Sequence, residues 1–150
     1  MKNFKLPYEK EDMTEPFVSV VTPVYNGEKF LVEAIKSVLA QTYSFSEYII
    51  VDNCSTDQTG EIAQHYAVQD ERIHVIQNQE LLPIMDNWKF GMRQISDSSK
   101  YFKVLHADDL LFPECIALML EVAEYHPTIG IVSSYMLKET KLKMMVFLTL

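Results

Sequence analysis

Short apolar, β-branched runs alternate along this chain with stretches whose apolar residues recur at helical spacing, and that alternation leaves few folds open. Phe17-Val-Ser-Val-Val-Thr-Pro23, Tyr48-Ile-Ile-Val51, Ile73-His-Val-Ile76, Tyr101 to Leu105 and Ile129-Gly-Ile-Val-Ser-Ser-Tyr135 each read as a strand. Between them apolar residues fall on single helical faces. The first set is Phe30, Leu31, Ala34, Ile35, Val38 and Leu39, and the second is Ile62, Ala63, Tyr66 and Ala67. A third helix, spanning 83–95, carries Ile84, Trp88, Met92 and Ile95, and a fourth, spanning 113–125, carries Ile116, Met119, Leu120 and Ala123. Nearly continuous apolar strands separated by amphipathic helices predict an α/β fold: a Rossmann-like, three-layer αβα sandwich on a mainly parallel sheet.

In such a sheet the strands deliver their carboxyl ends to one edge, where ligands bind. Three strand ends here carry polar chemistry: Thr22-Pro-Val-Tyr-Asn26, Asp52-Asn53, and the adjacent acids Asp108 and Asp109 that end the run Val104-Leu-His-Ala107. Paired carboxylates at a strand end suit a hard cation such as Mg2+ or Mn2+. They equally suit the cap of the helix that starts near Pro113. Pro-x-x-Asn-Gly is a good turn in its own right, and Asp52 has a capping role open to it. Together, an aromatic ring, a carboxylate able to accept from a base N–H, and an acid pair near a metal describe a nucleoside-diphosphate pocket. No GxGxxG follows the first strand and no GxxxxGK[ST] occurs, so the common dinucleotide and P-loop phosphate grips are absent from the sequence.

The chain has 150 residues and a formal net charge of −8, with Lys and Arg scattered, so nucleic acid is excluded as the expected partner. An acidic chain that holds an anionic ligand needs a metal ion, helix N-termini or a few placed cations. Cys54 and Cys115 form neither a CxxC nor a Cys/His cluster, which argues against zinc and fits a reducing compartment. Met1 to Pro16 is a polar lead-in unlike a signal peptide, and no apolar run approaches the roughly 20 residues of a membrane span.

The residues in these three places resemble the inverting family 2 glycosyltransferases of the GT-A fold. Val20-Val-Thr-Pro-Val-Tyr-Asn-Gly27 is similar to the family's opening strand and turn. Ile50-Val-Asp-Asn-Cys-Ser-Thr-Asp-Gln-Thr59 is similar to its second-strand motif, and His106-Ala-Asp-Asp109 stands where the family keeps its Asp-x-Asp-type metal motif. The resemblance covers residues 17–135 and implies a donor site for a nucleoside-diphosphate sugar, UDP- or dTDP-type, with Mn2+ or Mg2+ as cofactor. It implies that Pro23, Val24 and Tyr25 line the nucleobase pocket, with Asn26 in the same turn, and that Asp52 accepts from the base. It further implies that Asn87 and Ala107 adjoin the nucleotide, that Asp108 ligates the metal with Asp109 beside it, and that Asp57 orders its loop. The implied acceptor is a glycan or lipid-linked sugar, and the implied location is the cytoplasm, at the inner face of the membrane in some relatives.

Several positions depart from the family pattern. His106 replaces the first Asp of the metal motif, and as a lone imidazole at a strand end it reads as hydrogen-bonded structure or as a ligand. Asn53 and Cys54 replace an acid and a glycine. Ile84-Met-Asp-Asn87 stands where relatives carry Arg-Asn, leaving Lys89 and Arg93 as the nearby cations. The general base that would deprotonate the acceptor is expected beyond residue 150. The fold reads as truncated after the fifth strand, and 136–150 reads as an atypical tail: a cut strand, a frameshifted end or a peripheral membrane contact. A homo-oligomer and a non-catalytic nucleotide-binding or assembly module of the same fold stay open as alternatives. A sugar-phosphate nucleotidylyltransferase fits less well, because Tyr25-Asn-Gly-Glu-Lys29 offers one glycine and one cation to a triphosphate.

Overall fold

The structure is a computed structural model that describes residues 15–126, 128, 130–138 and 141–149, with side chains as far as residue 132. Most of the polar lead-in, Ile129 and Glu139 lie outside the described residues. Strands and helices follow in the order β1 (Val18–Val24), α1 (Leu31–Leu39), β2 (Ser46–Asp52), α2 (Thr59–Gln69) and β3 (Ile73–Gln77). Next come α3 (Ile84–Met92), β4 (Tyr101–Val104), α4 (Cys115–Tyr125), β5 (Ile131–Lys138) and β6 (Lys141–Thr149).

The sheet order is β3-β2-β1-β4-β6-β5. The first four strands are parallel, with Val18 opposite both Ser46 and Tyr101, and Tyr48 opposite Ile73. This is the α/β sandwich that continuous apolar strands require, since each face must be covered. Residues 141–149, read from sequence as part of a tail, form a sixth strand. β6 enters antiparallel between β4 and β5, pairing Phe102 with Leu148 and forming a hairpin with β5. A strand that begins only three positions after its neighbour ends has to run antiparallel, because a parallel return needs a crossover of a dozen or more residues.

One face packs Val18, Val20, Tyr48 and Ile50 against Leu31, Ala34, Ile35 and Val38 of α1, Ala63 of α2, and Ile116, Met119, Leu120 and Ala123 of α4. The other is smaller: Val21, Ile49 and Val51 meet Ile76, Phe90 of α3 and Ile95. The inner faces of α1 and α4 are those the periodicity predicts, except that Phe30 lies half-exposed ahead of α1. The α3 face is not. Ile84 and Met85 are exposed, and the residues turned inward are Asn87 and Gly91. Gly91 explains the shift: a Cβ there would stand 3.2 Å from Val21 Cγ1 and 3.5 Å from Val51 Cγ2, so the helix backbone itself approaches the sheet. Among the described residues no helix is long and apolar enough to cross a membrane.

Candidate functional site

The carboxyl ends of β1 and β2 lie side by side, Val24 opposite Asp52, and the pairing continues through Asn53 N–H to the Val24 carbonyl at 2.8 Å. Beyond them two turns are laced together. Asn26, at φ 50°, donates its N–H to Ser55 Oγ (2.8 Å) and accepts Thr56 N–H on Oδ1 (2.8 Å). Gly27 N–H donates to Thr59 Oγ1 (2.8 Å), and Asp57 accepts from Glu28 N–H (3.1 Å) and Thr59 N–H (3.0 Å). Asp57 therefore orders the loop, as expected. Burial pushes its carboxyl up, but the Thr59 hydroxyl and the amides of Thr59 and Glu28 outweigh that and hold it below the usual carboxylate range.

Asp52 is 2% exposed. Its Oδ1 accepts Ser55 N–H at 3.0 Å, and its Oδ2 lies against Gly60, where a Cβ would come to 3.2 Å. The carboxylate thus closes the turn after β2 and does not cap α2, whose N-cap residue is Gln58 with no side-chain cap bond. Tyr25 is 48% exposed at the edge, and Pro23 is half-buried beside it. Val24 is different. Its side chain is core, 4% exposed under Gly27, so only its backbone reaches the edge. The alternation of a strand puts neighbouring side chains on opposite faces, which is why Val24 cannot line the same surface as Pro23 and Tyr25.

Asn87 is also turned away from the edge. It is buried and accepts on Oδ1 from Asn78 Nδ2 (2.8 Å). Asn78 Nδ2 also donates to Asn53 Oδ1 (2.8 Å), and Asn53 clamps the Leu82 backbone by donating to its carbonyl (2.8 Å) and accepting its N–H (2.9 Å). Cys54, at φ 59°, adds a contact from Sγ to the Asn78 carbonyl at 3.0 Å. These amides tie the ends of β2 and β3 to the start of α3. Sequence reasoning took Asn53 as a lost charge and did not single out Asn78. The available signal was the set of Asn residues at two strand ends and inside an amphipathic helix, where amides pair with one another once buried.

The acid pair follows β4. Leu105 N–H continues the sheet to the Val21 carbonyl (2.9 Å), and Asp109 N–H closes a turn on the His106 carbonyl (3.1 Å). Asp108 is exposed, Asp109 and Ala107 half-buried. Neither acid caps α4, whose N-cap residue is Glu114 with no side-chain cap bond. The His106 ring packs on Trp88 with centroids 4.8 Å apart at 58°, an aromatic contact that holds the start of the acid turn to α3. Ala107 meets the first turn at Gly27, where a Cβ would stand 3.5 Å from it. The fold therefore brings Pro23, Tyr25, Asn26, Ala107 and Asp108 to one edge, buries the Asp52 carboxylate in the turn behind it, and places Val24 and Asn87 beneath it.

The chain as a whole is similar to known proteins. The chain matches the model of Glycosyl transferase family 2 over residues 19–145. It belongs to that family. An uncharacterized glycosyltransferase of Haemophilus influenzae is 32% identical over 121 residues, covering 81% of this chain and 37% of that protein. Glycosyltransferase GlyG of Streptococcus pneumoniae is 29% identical over 118 residues, covering 79% of this chain and 38% of that protein. The chain thus spans little more than a third of each of these two relatives. Among solved structures, S. aureus TarS 1-349 in complex with UDP superposes with a TM-score of 0.68 at 25% identity, over 78% of this chain and 34% of TarS. The mannosyltransferase PcManGT of Pyrobaculum calidifontis, in complex with GDP-Man and Mn2+, shares the fold with a TM-score of 0.69 at 23% identity, over 80% of this chain and 35% of its own. The fold is that of the GT-A glycosyltransferases.

Proposed function

We propose that this chain is the nucleotide-sugar-binding portion of a family 2 glycosyltransferase, which passes a sugar from a UDP- or dTDP-type donor, with inversion, to a glycan or lipid-linked acceptor. The observation that carries the reading is the convergence of the β1, β2 and β4 ends: Tyr25 and Asp108 share one edge with Asp52 behind it, locked by the Asn26–Ser55–Asp57 lacing and the Gly27–Ala107 approach. Tyr25 presents a ring for base stacking, Asp52 lies behind it with its carboxylate buried in the turn, and Asp108 is an exposed hard-oxygen donor where a diphosphate would follow. The TarS structure with UDP supports a uridine diphosphate as the first ligand to test.

The donor set fits Mn2+ or Mg2+. No group of three His, Cys, Asp or Glu converges among the described residues, and these cations need only one or two carboxylates when phosphates complete the shell. Asp108, with Asp109 behind it, would hold the ion, which when bound would offset charge on the departing nucleoside diphosphate. The chain's own residues stack and orient the base, hold the diphosphate edge rigid, and exclude water beneath it with Val24, Leu105 and the buried amides.

Calorimetric titration of UDP, dTDP, GDP and CMP, each with and without Mn2+, tests the reading, with Asp108→Ala as the control. Saturable binding to UDP or dTDP that needs Mn2+ and is lost in Asp108→Ala is the expected result. A folded chain that binds none of the four nucleotides overturns it and leaves a non-catalytic module of the same fold.

A further inference from the structure

The turn that carries the acid pair is built on His106. This residue follows the bond from Leu105 N–H to the Val21 carbonyl (2.9 Å), which ends the sheet there, and its own carbonyl accepts Asp109 N–H (3.1 Å). Its side chain is exposed, yet the ring lies against half-buried Trp88, with centroids 4.8 Å apart and planes at 58°. Trp88 is a fixed platform. Its helix, α3, is set close on the sheet at Gly91, where a Cβ would stand 3.2 Å from Val21 Cγ1, and the preceding Asn87 accepts from buried Asn78 (2.8 Å). An imidazole can ligate a metal, but this one is not gathered with the acids. No group of three His, Cys, Asp or Glu side chains converges among the described residues, as His106, Asp108 and Asp109 would if all three held one ion.

We propose that His106 is a positioning residue for the cation site and not a ligand of it: stacked on Trp88, it ties the acid turn to α3 and so fixes where the exposed Asp108 carboxylate stands. A surface turn opens at little cost, and a ligating atom that has to be brought into place on binding gives up part of its affinity. Packing the first residue of the turn against a ring that the sheet itself holds in place removes that loss. An aromatic contact of this kind is worth about two- to tenfold in an equilibrium constant. The inference rests on the donor-site reading above, and it makes the ring, rather than its nitrogens, the part of His106 that matters.

The test compares wild type with His106→Phe, which keeps a ring for Trp88 but cannot ligate, and His106→Ala, which does neither. Calorimetric titration of UDP with Mn2+ should give His106→Phe an affinity within about twofold of wild type, and His106→Ala one weaker by about two- to tenfold. Amide hydrogen exchange, followed by NMR on the metal-free chain, should quicken at Asp109 by the same factor in His106→Ala alone, while the amides of β1 and β2 keep their wild-type rates. In a Trp88→Leu background His106→Ala should change neither readout, and a full effect there overturns the link to α3. An equal loss of binding in His106→Phe and His106→Ala makes His106 a ligand and overturns the proposal, as does wild-type binding by His106→Ala. If wild type binds no UDP with Mn2+, the donor reading falls, and exchange still judges the turn. Wild-type exchange at Asp109 in His106→Ala then overturns the positioning role, whereas faster exchange confined to that turn upholds it.

Discussion

Gly27→Ala separates two effects of opposite sign at the turn that joins β1 to the acid pair. No glycine in the described chain has positive φ, so alanine is conformationally allowed at position 27. By restricting the unfolded chain it would on its own stabilise by about 0.4–1 kcal/mol. Packing opposes this. The new Cβ would stand 2.5 Å from Val24 Cγ2 and 3.5 Å from Ala107 Cβ, whereas carbon atoms settle at roughly 3.5–4.0 Å. One side has to move by about 1 Å. Val24 is 4% exposed and β-branched, with little rotamer freedom. The Gly27 backbone is pinned by its N–H to Thr59 Oγ1 (2.8 Å) and by its carbonyl, which accepts Phe30 and Leu31 N–H (3.0 Å each). Overpacking of this kind costs about 1–3 kcal/mol, so it wins by about 1–2 kcal/mol. In a domain of this size that is a fall of about 2–8 °C in midpoint. Thermal unfolding followed by circular dichroism measures it. Val24→Ala removes the obstructing methyl, so the double variant should lose less than the sum of the singles. A Gly27→Ala protein as stable as wild type, or strictly additive losses, would refute the packing argument.

Asn53→Asp puts an acid where the family resemblance expects one, yet it should destabilise this chain by about 1–3 kcal/mol. The amide that donates to the Leu82 carbonyl becomes a carboxylate facing it at a site 4% exposed. Urea unfolding and faster proteolysis of the 78–83 segment would show this, and wild-type behaviour in both would count against the amide clamp. Asp57 gives a pH signature. Its folded pKa is lowered, so its contribution is complete above the unfolded value near 3.9 and disappears as pH falls through the folded one. Stability of wild type relative to Asp57→Asn should therefore hold from about pH 7 to pH 5 and shrink below about pH 4. A difference that stays flat down to pH 3 would mean Asp57 is ionised equally in both states.

Much of the fold was legible because it rests on local periodicity. The β-branched runs became β1 to β5 within a few residues of their predicted ends, and α1 and α4 bury the faces their spacing announces. The three polar strand ends could be placed on one edge from topology alone, since parallel strands share a direction. Other features depend on contacts between residues far apart in the chain. That Ile84 faces solvent while Asn87 and Gly91 face the sheet was decided by how closely α3 approaches Val21 and Val51. Asn53, Asn78 and Asn87 became one network only when β2, β3 and α3 met. Lys103, within a run that reads as apolar, is 2% exposed in the folded sheet. Pattern is a property of the chain and survives without folding. Whether a polar group touches solvent, an amide or a counter-charge depends on which distant residues pack against it, and that only the tertiary structure decides.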